Sequence, residues 1–356
     1  MSTATAAWSG TGPQPQRLSA PSLALIGLTT LVLALAWGAT QGAYAISVRS
    51  LWALMTSPAQ WATHPDAQVF FHIRAPRLLM ALLSGAGLGL TGALVQGLYR
   101  NPLADPSLIG VTSGAALGAG LAIVLGTTMP VVWWQFLGSS LPLLTAFLGG
   151  LAVTALVWRW SSIQGQVRLP LLLLMGVAVN ALAASGLGWL SFMANDTQLR
   201  SLTFWLLGSL SGTRWTSVAW AAPPVLLALW LTWRLAPQFN ALALGEAQAR
   251  LMGVAVDRLK QHGVWWSALV VGVLTAHIGM VGFVGLIAPH GVRLLAGADH
   301  RVVLPGSALL GAILLILADT AARTVVAPIE LPLGVLTGLL GAPLFLWMLR
   351  QRHASV

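Results

Sequence analysis

Long apolar runs separated by short polar segments dominate this sequence and leave it few ways to fold. The first runs from Leu23 to Thr40, and others lie at 78–98, 107–126, 139–158, 169–193, 216–235, 263–297, 303–322 and 332–350. About 20 apolar residues is the length that crosses a bilayer as a helix, and in lipid only helices and closed barrels satisfy their own backbone groups. Of the 356 residues 57% are hydrophobic, against 18 Lys+Arg and 8 Asp+Glu. So little charge cannot keep a domain of this size dissolved, which excludes an ordinary soluble protein. The fold class is an all-α polytopic membrane protein.

The run at 263–297 is too long for one crossing and is interrupted by His277-Ile278-Gly279-Met280-Val281-Gly282. Its two glycines weaken helix propensity, so the pattern predicts two short spans joined by a tight turn, and about ten transmembrane helices in all. Residues 1–21, rich in Ser, Thr, Pro and Gln, read as a disordered tail, 22–350 as one transmembrane domain and 351–356 as a second tail. A signal peptide ending at Ala43-Tyr44-Ala45 is the competing reading of the first run. That run is long for a signal core, and a retained first span is preferred.

Placing the N-terminus in the cytoplasm puts twelve of the 18 Lys+Arg on cytoplasmic segments and six outside. The excess supports cytoplasmic N- and C-termini. The net charge of +10 is spread over single arginines, with Lys260 the only lysine. It reads as topology bias and contact with lipid headgroups rather than nucleic-acid binding. The absence of cysteine excludes disulfides, a thiolate nucleophile and Cys-ligated metal. Small residues at helical spacing, Gly85, Gly89 and Gly92, then Gly110, Gly114 and Gly118, then Gly334, Gly338 and Gly341, predict helices packed at close range.

Enzymatic constellations are missing. No His is followed by Glu as in H-E-x-x-H, no Ser sits in G-x-S-x-G, and Lys260 precedes Gln261, so there is no Walker A loop. A haem-carrying electron-transfer subunit would need axial ligands at matched depth. His277 and His290 are the span-associated candidates, and each stands beside a turn or a proline. A proton-coupled carrier would place acids at the midplane. Asp319 is the acid inside an apolar run, and Arg323 follows one helical turn later. The two are expected to pair and close the outer end of the ninth span. Transport driven by a separate subunit is what remains.

The longest polar connection, about 237–262, offers that subunit a surface. Gly245 can cap a helix starting at Glu246, with Arg250 at i+4, and Gly253 can end it in a left-handed conformation. Val254 to Lys260 is expected to form a second short helix, giving a helix–Gly–helix elbow. On the outer side Arg74 and Arg77 flank Pro76, and Arg323 closes the ninth span. They suit either headgroups or the carboxylates of a docking protein. The segment from Leu199 to Leu210 fits a short amphipathic helix at the outer mouth.

Several ordered motifs carry a resemblance. Arg74-Ala75-Pro76-Arg77, Gly92-Ala93-Leu94-Val95-Gln96-Gly97, Asn101-Pro102-Leu103-Ala104-Asp105-Pro106, Leu244-Gly245-Glu246-Ala247, Gly282-Phe283-Val284-Gly285-Leu286-Ile287-Ala288-Pro289-His290, Asp299-His300-Arg301 and Glu330-Leu331-Pro332-Leu333-Gly334 resemble the permease subunits of type II ABC importers for iron–siderophore, cobalamin and haem. The resemblance covers about residues 70–350. It implies a type II importer permease fold in a bacterial inner membrane. It further implies a homodimer with the path between the copies, two cytoplasmic ATPase subunits that use ATP and Mg, and a periplasmic binding protein.

By the same resemblance, ATPase coupling falls to Gly245, Glu246, Ala247, Arg250 and Gly253, and binding-protein docking to Arg74, Arg77 and Arg323. The chain itself would bind no cofactor or metal. The family's usual Arg-Leu-Pro-Arg has Ala75 in its second place, and Leu169-Pro170 stands where a cobalamin-type gate has adjacent hydroxyl residues, so no gate residue is assigned. Phe204-Trp205-Leu206-Leu207-Gly208-Ser209-Leu210, together with Leu244-Gly245-Glu246-Ala247-Gln248-Ala249-Arg250, looks most like the haem-importing branch. Ferric siderophore is the alternative substrate and cobalamin a more remote one.

Overall fold

A computed structural model of the chain describes residues 17–56, 61, 64–126, 138–163 and 166–353. Its helices are α1 (Ala20–Thr40), α2 (Val48–Thr56), α3 (Pro65–Val69), α4 (Ala75–Tyr99), α5 (Val111–Leu125), α6 (Leu141–Ser161), α7 (Leu169–Met193) and α8 (Asp196–Leu207). Then come α9 (Trp215–Arg234), α10 (Ala236–Ala243), α11 (Glu246–Leu251), α12 (Val256–Ile278), α13 (Val284–Ala296), α14 (His300–Thr324) and α15 (Leu333–His353). A two-stranded hairpin, β1 (Ser162–Ile163) with β2 (Gln166–Val167), joins α6 to α7.

Among the described residues six helices are long and apolar enough to cross a membrane: α1, the continuous helix Pro65–Tyr99, α6, α7, α9 and α14. Shorter apolar helices are Val111–Leu125, Val284–Ala296 and Leu333–Trp347. With α12, whose first turns carry Asp257, Arg258 and Lys260, the set is compatible with about ten spans. The first run is a helix from Ala20, started by Ser19, whose hydroxyl accepts from Ser22 N. The boundary expected at residue 21 falls inside this helix, and residues 1–16 lie outside the described residues. At the other end α15 runs on to His353, past the boundary expected at 350, and 354–356 also lie outside.

Helix α4 is the centre of the bundle and is buried along nearly its whole length. Its glycines let other helices touch its backbone. A β-carbon at Gly85 would strike the backbone of Gly311, one at Gly89 that of Ser307, and one at Gly92 that of Gly285. In the same way Gly114 and Gly118 of α5 meet the backbone of Gly149 and Thr145 in α6. Lipid tails supply no hydrophobic drive between helices, so this backbone-level packing is what holds α4 to α14 and α5 to α6. The third stripe is different. Gly334 and Gly341 are crowded by Met280 and Phe283, while Gly338 faces open space.

The break expected within 263–297 is present. Helix α12 stops at Gly279, which has φ +72, and α13 starts after Phe283, at φ +67. One carbonyl freed at the break is covered from the segment after α8: Ser209 N donates to Ile278 O at 2.8 Å, while the neighbouring Gly208 O accepts from Leu333 N at 3.0 Å. Buried non-helical backbone at membrane depth needs this cover. A second short helix expected at Val254 to Lys260 is corrected. These residues lead into, and from Val256 form, the opening turns of the 23-residue α12. Gly263 is the one weak helix former between Lys260 and Trp265, and extending a helix through it costs less than nucleating another.

Candidate functional site

The elbow lies on the face of the bundle where α1, α7, α12 and α14 begin. Pro237 sits in the first turn of α10, a position where its missing N–H costs nothing. Gly245 adopts φ +122 and Gly253 φ +81, conformations that a side chain would strain. Between them lies the six-residue α11, with Glu246 in its first turn and Arg250 in its last. The sequence anticipates this arrangement, including Arg250 Nη2 at 3.9 Å from Glu246 Oε2. Arg250 is closer to Asp257 Oδ2, at 3.3 Å. Ala247 is exposed on the outer side of α11.

Lys260 completes the site and escaped the sequence reading. It is 2% exposed, and its Nζ donates to Glu246 Oε2 at 2.8 Å and to the carbonyl of Val167 at 3.1 Å. Beside it opens a cleft of about 590 Å³. The hairpin and the start of α7 (Ile163, Arg168, Leu169, Leu174) line one wall, and Glu246, Arg250 and Asp257 the other. Among the described residues no group of His, Cys, Asp and Glu is placed to hold a metal ion.

A second polar junction ties α10 to α14. Asn240 Nδ2 donates to Asp299 Oδ1 at 2.7 Å, while Asn240 Oδ1 accepts from His300 N at 2.9 Å. Asp299 caps α14 through Arg301 N at 2.8 Å. The hydrogen bond from Asn240, helped by that backbone N–H, holds the Asp299 carboxyl below the usual carboxylate range. His300 is buried and stacks on Phe239, with ring centroids 5.6 Å apart.

At the opposite face the expected pair of Asp319 and Arg323 forms, with Arg323 Nε 3.2 Å from Asp319 Oδ2. It is part of a larger cluster. Arg77 donates to Asp319 through Nε at 3.0 Å and Nη2 at 2.9 Å, and to Glu330 through Nη1 at 2.8 Å and Nη2 at 3.0 Å. Arg323 also donates to the carbonyls of Gly38 and Gln41, both at 3.1 Å. Arg74 donates to the carbonyls of Ala39 and Tyr44. All three arginines are buried. In this single chain their guanidiniums are taken up by internal carbonyls and carboxylates. They fix α1, α4 and α14 together at that end, because a buried cation needs partners inside the chain.

The segment read as an amphipathic helix over 199–210 is α8, shifted to Asp196–Leu207 by a capping box. Gln198 N donates to Asn195 Oδ1 at 2.9 Å, and Gln198 Oε1 accepts from Asn195 N at 3.0 Å. Leu202 is its buried anchor, while Phe204 stays exposed. His277, half-buried, lies 2.9 Å from the carbonyl of Val273 in its own helix, and His290 is buried in α13.

Comparison with known proteins places this arrangement. Residues 28–351 match the FecCD transport family. The hemin transport system permease protein HmuU of Yersinia pestis is 42% identical over 338 residues, 94% of this chain and 97% of that one. The cobalamin import system permease protein BtuC of Halobacterium salinarum is 38% identical over 350 residues, covering 96% and 91%. A vitamin B12 import system permease protein BtuC from Salmonella arizonae is 40% identical over 296 residues, covering 82% and 86%. A solved structure of a metal-chelate type ABC transporter in an inward-facing conformation superposes with a TM-score of 0.81 at 33% identity, covering 93% of this chain and 99% of its own.

Proposed function

The chain belongs to the FecCD transport family, and on that footing we propose that it is the permease subunit of an ATP-driven importer carrying haem into the bacterial cytoplasm. Two copies form the path between them and alternate access along their common axis. Two ATPase subunits, which hold the ATP and Mg, seat on the elbow at Gly245, Glu246, Ala247, Arg250 and Gly253. The elbow carries this reading: a six-residue helix held between positive-φ glycines projects from the bundle, as a handle for an external motor should. Both termini lie on the cytoplasmic side with it.

A periplasmic haem-binding protein docks on the opposite face. There Arg74, Arg77 and Arg323 serve docking by holding the α1–α4–α14 frame beneath the surface. Haem is favoured over ferric siderophore and cobalamin by the 42% identity to a hemin permease along 94% of this chain. The 40% identity of a vitamin B12 permease makes cobalamin the comparison that matters. A weakly binding apolar path suits a cargo that must leave again.

The test is ATP hydrolysis by the complex reconstituted in liposomes, with its binding protein loaded in turn with haem, a ferric siderophore and cobalamin. Stimulation and ATP-dependent uptake with haem alone are expected. Equal stimulation by all three would remove the haem assignment, and uptake that follows a proton gradient without ATP would remove the importer reading.

A further inference from the structure

A lysine is buried almost only when it is paired, and Lys260, the single lysine of the chain, links three separate elements. It projects from the second turn of α12, its Nζ bonds Glu246 Oε2 in α11 at 2.8 Å, and the same Nζ bonds the carbonyl of Val167 in β2 at 3.1 Å. The hairpin passes through Arg168 directly into α7.

Helix α11 is attached at both ends through glycines at positive φ, Gly245 and Gly253. Between them the backbone bond from Val254 N to Ala249 O at 3.0 Å, the buried side chain of Ala249 and the charged side chains of Glu246 and Arg250 tie it to the rest of the chain. Arg250, with 45% of its side chain exposed and an exposed partner in Asp257, is screened by water and contributes little rigidity. Lys260 is different, because separating it from Glu246 would leave a buried ammonium without its counter-ion. The cleft of about 590 Å³ divides the first turns of α7 from α11 and Asp257, and Lys260 on its lining carries the link across.

We propose that Lys260 is a positioning residue that makes the elbow and the entrance of α7 move as one body, so that displacement of α11 by the ATPase is delivered to the fifth span. The proposal rests on the reading of the chain as an ATP-driven permease. Its chemistry is a strut: one ammonium shared by a carboxylate of the driven element and a carbonyl of the responding one.

The test uses the complete complex in liposomes, with haem as cargo, and reads haem imported per ATP hydrolysed. K260M is expected to lower that ratio roughly tenfold, the scale of an ordinary coupling free energy, and K260R to restore most of it. Where K260M does not insert, E246Q cuts the same strut from its half-buried end. A second readout needs no transport. In this cysteine-free chain, spin labels at Q166C and Q248C, in complexes where labelled copies are diluted with unlabelled ones, should report one narrow distance within a copy that ATP leaves unchanged, and a broad distribution once K260M or E246Q is added. An unchanged ratio of uptake to hydrolysis with reduced thermal stability, or an equally narrow distance in the variants, would overturn the strut. Absence of ATP-dependent uptake by the unmodified complex would instead remove the transport reading, and the spin-label distances would still decide for or against the strut.

Discussion

Arg77 Nη2 and Asp319 Oδ1 lie 2.9 Å apart although 242 residues separate them in sequence. The bond ties α4 to α14 at the face opposite the elbow. Asp319 is 1% exposed and faces Arg323 as well, while Glu330 supplies the second negative charge. Two guanidiniums and two carboxylates therefore balance there, while Arg74 beside them is held by carbonyls, and removing one member of such a set is costly.

Removing one member should reveal that balance. Asp319→Asn leaves two buried cations to share Glu330 and is expected to cost about 3–5 kcal/mol of stability, seen as a lower unfolding temperature in detergent. Glu330→Gln, whose side chain is 38% exposed, should cost no more than about 1 kcal/mol. Equal losses from the two would contradict the cluster as described.

The glycine contacts make an opposite pair of expectations. Gly92→Leu drives a side chain into the backbone of Gly285 and should sharply reduce the yield of folded protein from the membrane, by the backbone separation that it forces. Gly338→Ala enters open space and should leave yield and unfolding temperature near those of the parent. Fluorescence-detected size exclusion distinguishes the two.

At the elbow, Gly245→Val places a β-branched residue at φ +122. The strain, on the order of 1–3 kcal/mol, falls at the start of the six-residue α11. ATPase binding to the permease in detergent should weaken several-fold while the bundle unfolds at its usual temperature. A wild-type affinity would show that α11 is not the seat.

Acid should separate Asn240→Leu from the parent less than neutral pH does. The Asp299 carboxyl titrates below its ordinary range when Asn240 bonds it, so the stability from that bond is present above the unfolded value of about 3.9 and fades as pH falls through the lower folded value. Unfolding temperatures of the two proteins should differ most at pH 7, and the gap should narrow as pH falls below about 3.9, leaving the part due to the lost bond from His300 N. A gap that widens in acid would place the effect elsewhere.

Local features were legible because their causes are local. The break at Gly279, the helix start at Glu246 and the left-handed Gly253 follow from glycines at places where a helix must end. The i,i+4 pair of Asp319 and Arg323 follows from helical spacing. Three features were not legible: the continuation of α12 back to Val256, the hairpin at 162–167, and the burial of the three outer arginines. An arginine at the end of an apolar run has the same sequence signature whether it snorkels to headgroups, meets a partner or turns inward, and the choice is made by carbonyls and carboxylates brought from elsewhere in the chain.

The sequence by itself determined that this chain lives in a bilayer, roughly how many times it crosses, where one crossing is broken and which turn carries the elbow. Run length, glycine conformation and capping act over a few residues and need no partner. The tertiary structure alone decided what the few charges do. Arg77 reaches Glu330 across 253 residues and Lys260 reaches Val167 across 93, and only packing sets such distances. In a chain with so little charge, each ion is expensive to bury unless the fold brings its counterpart to it, and the fold has placed those pairs where helices must hold together or move together.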